Sequence, residues 1–179
     1  MANLNNKARA ENTYDAIVVG SGITGGWAAK ELTEKGLRAL VLERGPMVRH
    51  IVDYPTAQTP PWETKYPRAQ LPGAEMRAKY PVQQRTGYAV TEYSKHFFVK
   101  DTEHPYNAVR DFRWYRGYQV GGRSLLWARH VFRFSDLDFE ANLKEGVGID
   151  WPIRYADISP WYDHVEKFIG ASGENSGLP

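Results

Sequence analysis

The chain has 179 residues, 42% of them hydrophobic, with a formal net charge of +2 from 23 basic and 21 acidic side chains. That is enough apolar material for a domain with a core, and the balanced charge offers no basic face for nucleic acid. Cysteine is absent, which excludes disulfides, zinc–thiolate sites, Cys-ligated iron–sulfur clusters and cysteine nucleophiles from this chain.

The opening MANLNNKARAENTYD has no apolar run after Lys7 and Arg9, so no secretory signal is expected. No later stretch approaches the roughly 18 apolar residues of a membrane span. A cytoplasmic location is the expectation from this reading, with the periplasm open only to a chain carried there by a partner subunit. Residues 1–12 read as a polar, flexible tail. Tyr14-Asp15-Ala16-Ile17-Val18-Val19 is then a short β-branched run ending in Gly20, which predicts a strand buried on both faces as in a parallel sheet. From Gly22 to Lys35 the pattern is helical, with Ile23, Trp27, Ala28 and Leu32 on one side and Lys30, Glu31, Glu34 and Lys35 towards water. Gly36 follows where a helix-terminating glycine belongs. Arg38-Ala39-Leu40-Val41-Leu42-Glu43 is a second apolar strand. Strand, helix and strand make a βαβ unit over 13–45, with an expected right-handed crossover.

Six of the eleven prolines fall between Pro55 and Pro81, amid aromatic and basic residues. Residues 46–112 are poor in helical periodicity and too long for an ordinary loop, so they predict an extended excursion over a ligand or partner. A disordered linker is the alternative, but such linkers carry few aromatic residues. Order returns over 113–179. Arg116 to Arg129 hold a Gly-Gly turn followed by an apolar run. Tyr155 to Ile169 predicts an amphipathic helix, with Pro160 acceptable in its first turn only. Its stripe of Ile158, Trp161, Tyr162, Val165, Phe168 and Ile169 reads as packing.

The central motif is Gly20-Ser21-Gly22-Ile23-Thr24-Gly25. In this setting Gly20 allows the turn out of the strand, Gly22 lets the backbone approach a pyrophosphate, and Gly25 lets the helix pack closely. The helix start directs free N–H groups and its positive dipole end at the phosphates. Glu43 lies 18 residues beyond Gly25, near the spacing at which a carboxylate grips a ribose hydroxyl. This predicts dinucleotide binding. FAD and NAD both use such a cradle, whereas Glu43 would repel the 2′-phosphate of NADP.

The longer stretch GSGITGGWAAKELTEKGLRALVLERGP resembles the flavoprotein form of this fingerprint. Ala29, Leu32, Gly36 and Val41 sit at its packing positions and Glu43-Arg44-Gly45 at its E-x-G ending. Val120-Gly121-Gly122-Arg123-Ser124-Leu125-Leu126-Trp127 is similar to the second signature of the glucose–methanol–choline (GMC) oxidoreductases. The tail, Asp150-Trp151-Pro152-Ile153 through Tyr162 and Val165-Glu166, resembles the branch holding pyranose oxidase, gluconate dehydrogenase flavoproteins and glucoside 3-dehydrogenases. The resemblance implies an α/β, Rossmann-like FAD-binding domain with most of the substrate domain absent. It also implies hydride transfer from an alcohol carbon of a sugar or glycoside, at a ring secondary hydroxyl, to flavin N5. It places Gly20, Ser21, Gly22, Ile23, Thr24 and Gly25 around the pyrophosphate, Glu43 on the adenosine ribose and Arg44 near the adenine. Val120, Gly121, Gly122, Ser124, Leu125 and Trp127 would border the flavin. A small partner subunit and an electron acceptor are implied with it.

Three departures matter. Pyranose oxidases attach flavin covalently through a histidine where this chain has Leu126, so FAD is expected to be non-covalent at that position. Many members have Asn where Trp127 stands. Members run to several hundred residues with the catalytic histidine near the carboxyl end, so the chain is expected to be a fragment whose catalytic base lies beyond Pro179. Two alternatives stay open: a non-catalytic flavin-holding subunit of a larger complex, or an NAD-dependent dehydrogenase. Among the histidines, His164 reads as a surface residue and His130 as a structural one near the flavin loop. His50, His96 and His104 carry no assignment. Asp136 and Asp138 read as a turn or helix cap.

Overall fold

Strand β1 (Ala16–Val19) runs parallel to strand β2 (Ala39–Leu42), with Ala16 opposite Ala39 and Val19 opposite Leu42. The computed structural model describes residues 13–56, 58–85, 90–174 and 177, and the tail at 1–12 lies outside them. Helix α1 (Ile23–Glu34) connects the strands, giving a small α/β unit with a two-stranded parallel sheet. The chain divides into two units, Met1–Trp127 and Ala128–Pro179.

The βαβ segment forms where its glycines permit turns. Gly20 turns out of β1 at φ +91°, and its N–H donates to Leu42 O at 2.7 Å. Helix α1 stops at Gly36, whose φ of +83° is the left-handed conformation that ends helices. Its N–H reaches Thr33 O, while that of Leu37 reaches Leu32 O. Asp15 clamps the start of β2 by accepting from Arg38 N at 2.7 Å.

Two expectations change here. Strand β1 is not buried on both faces: Ile17 is 62% and Val19 83% exposed, because α1 packs on the face carrying Val18 and no described residue covers the other. Ala28 on α1 is exposed and Lys30 is half-buried. The Lys30 ammonium sits 5.1 Å from the Trp27 ring centroid and pairs with Glu31 and Glu34, so its stem covers apolar surface as long cationic side chains do.

The buried core of the first unit lies in the proline-rich excursion. Leu71, Tyr80, Val90 and Phe98 pack together, with Tyr66, Met76 and Leu126 against them. Two helices there were not evident from periodicity: α2 (Gly73–Lys79) and α3 (Pro81–Gln84). Pro81 separates them, since it cannot continue α2 but suits the first position of α3. The Tyr80 hydroxyl donates to Lys95 O at 3.1 Å, pinning the junction. Arg68 and Ala69 both adopt left-handed backbone, at φ +56° and +54°. Ala69 is buried, and its carbonyl accepts from Glu92 N beside an antiparallel bridge between Gln70 and Thr91.

In the second unit, Ser135 caps helix α4 (Asp136–Phe139) with a reciprocal bond to Asp138. Helix α5 (Ala141–Glu145) follows and ends at Gly146. The carboxylate of Asp136 accepts from Tyr155 N at 2.8 Å, so it caps helix α6 (Tyr155–Ile169). Both aspartates are therefore helix caps, matching the local reading of Ser-Asp-Leu-Asp. Pro160 is the sixth residue of α6, beyond the first turn, and it removes the N–H that would bond Ala156 O. The helix continues past it. The apolar stripe of α6 also differs from expectation: Trp161 and Phe168 are exposed, and Glu166 turns inward instead. Arg133 accounts for this. Its guanidinium makes a two-pronged bond to Glu166, at 2.8 and 2.6 Å, and further bonds to Asp163 and the Tyr155 hydroxyl. That pairing holds the Glu166 carboxyl below its usual range.

Candidate functional site

The first glycine turn leaves a helix end without an internal partner. Helix α1 begins after Gly22 with no capping side chain and no acidic residue in its first turn. The leading N–H groups of any helix lack intrahelical acceptors, so this end presents a positive dipole pole and free donors. Around Gly22 there is open space, and a Cβ built there would meet nothing within 4 Å. Ile23 and Thr24, on the first turn, are exposed. Gly25 is different: its Cβ would fall 2.0 Å from Gly20 O, so that glycine is needed for the helix to pass the turn. The cradle is thus closed by the chain at Gly25 and open at Gly22. A diphosphate fits that chemistry.

Glu43 stands at the end of β2 and ties the turn together. One carboxylate oxygen accepts from both the Ser21 N–H, at 2.9 Å, and the Ser21 hydroxyl, and the other accepts from Gly45 N at 2.9 Å. Burial alone would push this carboxyl upward. The hydrogen bonds from the Ser21 hydroxyl and the backbone of Gly45, Ser21 and Arg44 outweigh it and hold Glu43 below its ordinary value.

The second glycine motif lies directly against the first. A Cβ at Gly45 would fall 2.1 Å from the Tyr118 carbonyl, and one at Gly122 would fall 3.3 Å from Gly22 Cα. Val120 N donates to Pro46 O at 2.9 Å, and Gly121 N donates to the Ser21 hydroxyl at 3.0 Å. Gly121 and Gly122 are both left-handed, at φ +89° and +54°. The N–H of Gly122 goes to Gln119 O, and the Gln119 amide returns a bond to Gly122 O at 3.0 Å. Ser124 donates its hydroxyl to Gly121 O, and Leu125 lies beside Gly121. Residues Gly122–Leu126 form a short 3₁₀ turn, Leu126 packs on the excursion core, and Trp127 is half exposed.

The structure therefore brings Gly20–Gly25, Glu43, Val120, Gly121 and Gly122 into one locus. Arg44 turns to Tyr118: its guanidinium lies 3.9 Å over that ring and donates to the phenol oxygen at 3.0 Å. Sequence reading missed Tyr118, Gln119 and Arg116. Arg116 is 5% exposed, and it bonds Tyr118 OH, Asp101 and the His104 carbonyl while lying near the Tyr106 and Trp114 rings. The aromatic–Arg alternation Tyr106…Trp114-Tyr115-Arg116-Gly117-Tyr118 was the available signal. A cavity of about 210 Å³ adjoins Tyr118 and Gln119 and is lined also by His96, Phe98, Lys100 and His104. Burial, aided by the Lys95 charge, lowers the His96 pKa. His50 pairs with Tyr54, and His164 is exposed on α6.

No family model matches the chain. Curated relatives do. It is 28% identical over 161 residues to 2-methyl-1,2-propanediol dehydrogenase of Mycolicibacterium austroafricanum, covering 89% of this chain and 25% of the relative. It is 29% identical to the gluconate 2-dehydrogenase flavoprotein of Pantoea cypripedii, with the same coverage of 89% and 25%. It is 24% identical to the fructose dehydrogenase large subunit of Gluconobacter japonicus, covering 90% of this chain and 28% of that subunit. The chain thus spans about a quarter of the length of these relatives. With two glycine motifs seated one on the other and matches running through nine-tenths of its residues, the chain is a homologue of the GMC-type flavoprotein oxidoreductases.

Proposed function

We propose that the first unit is the FAD-holding part of a Rossmann-like flavin-dependent dehydrogenase that oxidises an alcohol group of a sugar or glycoside, at a ring secondary hydroxyl. One observation carries it: the uncapped start of α1 faces open space at Gly22, while Gly25 is packed against the carbonyl of Gly20. A helix end of that kind attracts phosphate through both its donors and its dipole. The sugar substrate is supported by the names of two relatives, a gluconate dehydrogenase flavoprotein and a fructose dehydrogenase subunit. The second name, being that of a large subunit, also supports a partner polypeptide beyond this chain.

In this reading Gly20, Ser21, Gly22, Ile23, Thr24 and Gly25 receive the pyrophosphate and Glu43 takes the adenosine ribose. The flat Arg44 guanidinium, already braced on Tyr118, borders the adenine. Val120, Gly121, Gly122, Ser124, Leu125 and Trp127 border the flavin. Leu126 has no nucleophile and packs, partly buried, against the excursion core, which supports a non-covalent flavin at that position. When bound, the flavin supplies a two-electron acceptor for the hydride of an alcohol carbon. The chain's own part is to fix that group's position and keep water from it.

The test is uptake of the cofactor by the purified full chain. FAD should bind one to one, give a yellow protein and quench tryptophan fluorescence, while NAD should not compete. Addition of glycosides without oxygen to the full-length enzyme should bleach the colour. A folded, colourless chain that takes up no FAD would sink the proposal.

A further inference from the structure

Residues 21 and 121 are a hundred positions apart, and one hydroxyl joins them. The Ser21 hydroxyl has a single proton and two acceptor positions. Glu43 is held ionised, so its carboxylate can only accept, and the Ser21 proton is committed to it. The serine oxygen is then left to accept, and it does so from Gly121 N at 3.0 Å. The direction of every link in the chain Gly121 N–H to Ser21 hydroxyl to Glu43 carboxylate is fixed by this chemistry. Bonds in such a series strengthen one another, the more so when the last acceptor is charged. The segment leading into the Gly121–Gly122 turn is also tied to this locus by the backbone hydrogen bond from Val120 N to Pro46 O. A ribose hydroxyl arriving at Glu43 would share the carboxylate with Ser21.

We propose that Ser21 is a positioning residue that couples the two glycine loops, so that occupancy of Glu43 is transmitted to the backbone of Gly121. The functional part of this inference rests on the reading that the locus holds FAD. The link itself is a property of the chain without cofactor.

The experiment compares the full chain with Ser21→Ala and Ser21→Thr. Hydrogen exchange of residues 119–126, measured without cofactor, should speed up about tenfold in Ser21→Ala and remain near wild type in Ser21→Thr. FAD should bind about tenfold more weakly to Ser21→Ala, with a changed visible circular dichroism of the bound flavin, and Thr should restore both. ADP, which probes the adenosine half alone, should lose less than FAD does. Unchanged exchange and flavin dichroism in Ser21→Ala would overturn the coupling, as would failure of Thr to restore them. A uniform rise in exchange across the chain would also overturn it, in favour of general destabilisation. If wild type binds neither FAD nor ADP, the cofactor reading fails, and the exchange comparison still decides the coupling.

Discussion

The two glycine loops carry similar letters and have opposite surroundings. At the first, the chain leaves a helix end uncapped and space open beside Gly22. At the second, both glycine N–H groups are already bonded, one to Ser21 and one to Gln119, and the carbonyls of the pair accept from Ser124 and Gln119 side chains. The first loop leaves donors unengaged beside open space, and the second is a brace whose glycines permit close approach. A glycine motif therefore does not state its role by composition. What decides is whether the neighbouring donors are engaged by the protein or left over.

Substitutions at three glycines should expose the contrast most sharply. Gly45→Ala and Gly25→Ala place a methyl about 2 Å from backbone atoms that cannot move aside. Each should cost about 3 kcal/mol or more, read as a collapse of the denaturant midpoint. An unchanged midpoint would mean, for Gly45→Ala, that Gly45 does not lie against Tyr118, and for Gly25→Ala, that Gly25 does not pack on the Gly20 carbonyl. Arg116→Ala comes next in size. It removes one partner of an ion pair whose side chains are 3% and 10% exposed, leaving Asp101 buried and alone. The expected loss is about 3 kcal/mol in chemical denaturation, since Arg116 is the ion-pair partner of Asp101 among the described residues.

Gly22→Ala should be the mirror image of Gly45→Ala. Its φ of −65° suits alanine and nothing crowds the new methyl. Stability should change by about 1 kcal/mol or less, the cost of alanine at a helix cap. FAD affinity, measured by titration, should fall more than about tenfold, because the methyl would fill the space where the proposed function seats the diphosphate. If affinity survives, the open face of the first loop is not the phosphate site. The smallest effect concerns pH. Glu43 has a lowered pKa in the folded chain, so its contribution to stability is present above the ordinary value near 4.5 and is lost as pH falls through the folded one. Glu43→Gln should lower stability at neutral pH while flattening this acid limb in thermal melts at pH 3 to 6. A limb as steep as that of wild type would assign acid sensitivity to other carboxylates.

The βαβ segment was legible because its signals are local. β-branched runs mark β1 and β2, glycines stand at both ends of α1, and the acid at Glu43 falls at a readable distance. The aspartates at 136 and 138 were legible as caps for the same reason. The excursion was not legible, because α2 and α3 are one- or two-turn helices held by Tyr80, Leu71 and Phe98 rather than by periodicity. The face of α6 was misread where Arg133, 22 residues ahead of Tyr155, draws Glu166 inward and leaves Trp161 out. Within the locus itself, each motif could be read separately. Their seating through Ser21, Gly45 and Tyr118 joins residues some 70 to 100 positions apart, and no local pattern encodes such a pairing.

The successive left-handed residues Arg68 and Ala69 offer a different opportunity. Non-glycine residues held in that region carry strain of order 1 kcal/mol each. Arg68 is the easier of the two to replace, because its side chain is exposed while Ala69 is buried. Exchange of Arg68 for asparagine or glycine is therefore a natural first step for an engineer seeking a hardier version of this chain, at a place remote in sequence from both glycine loops.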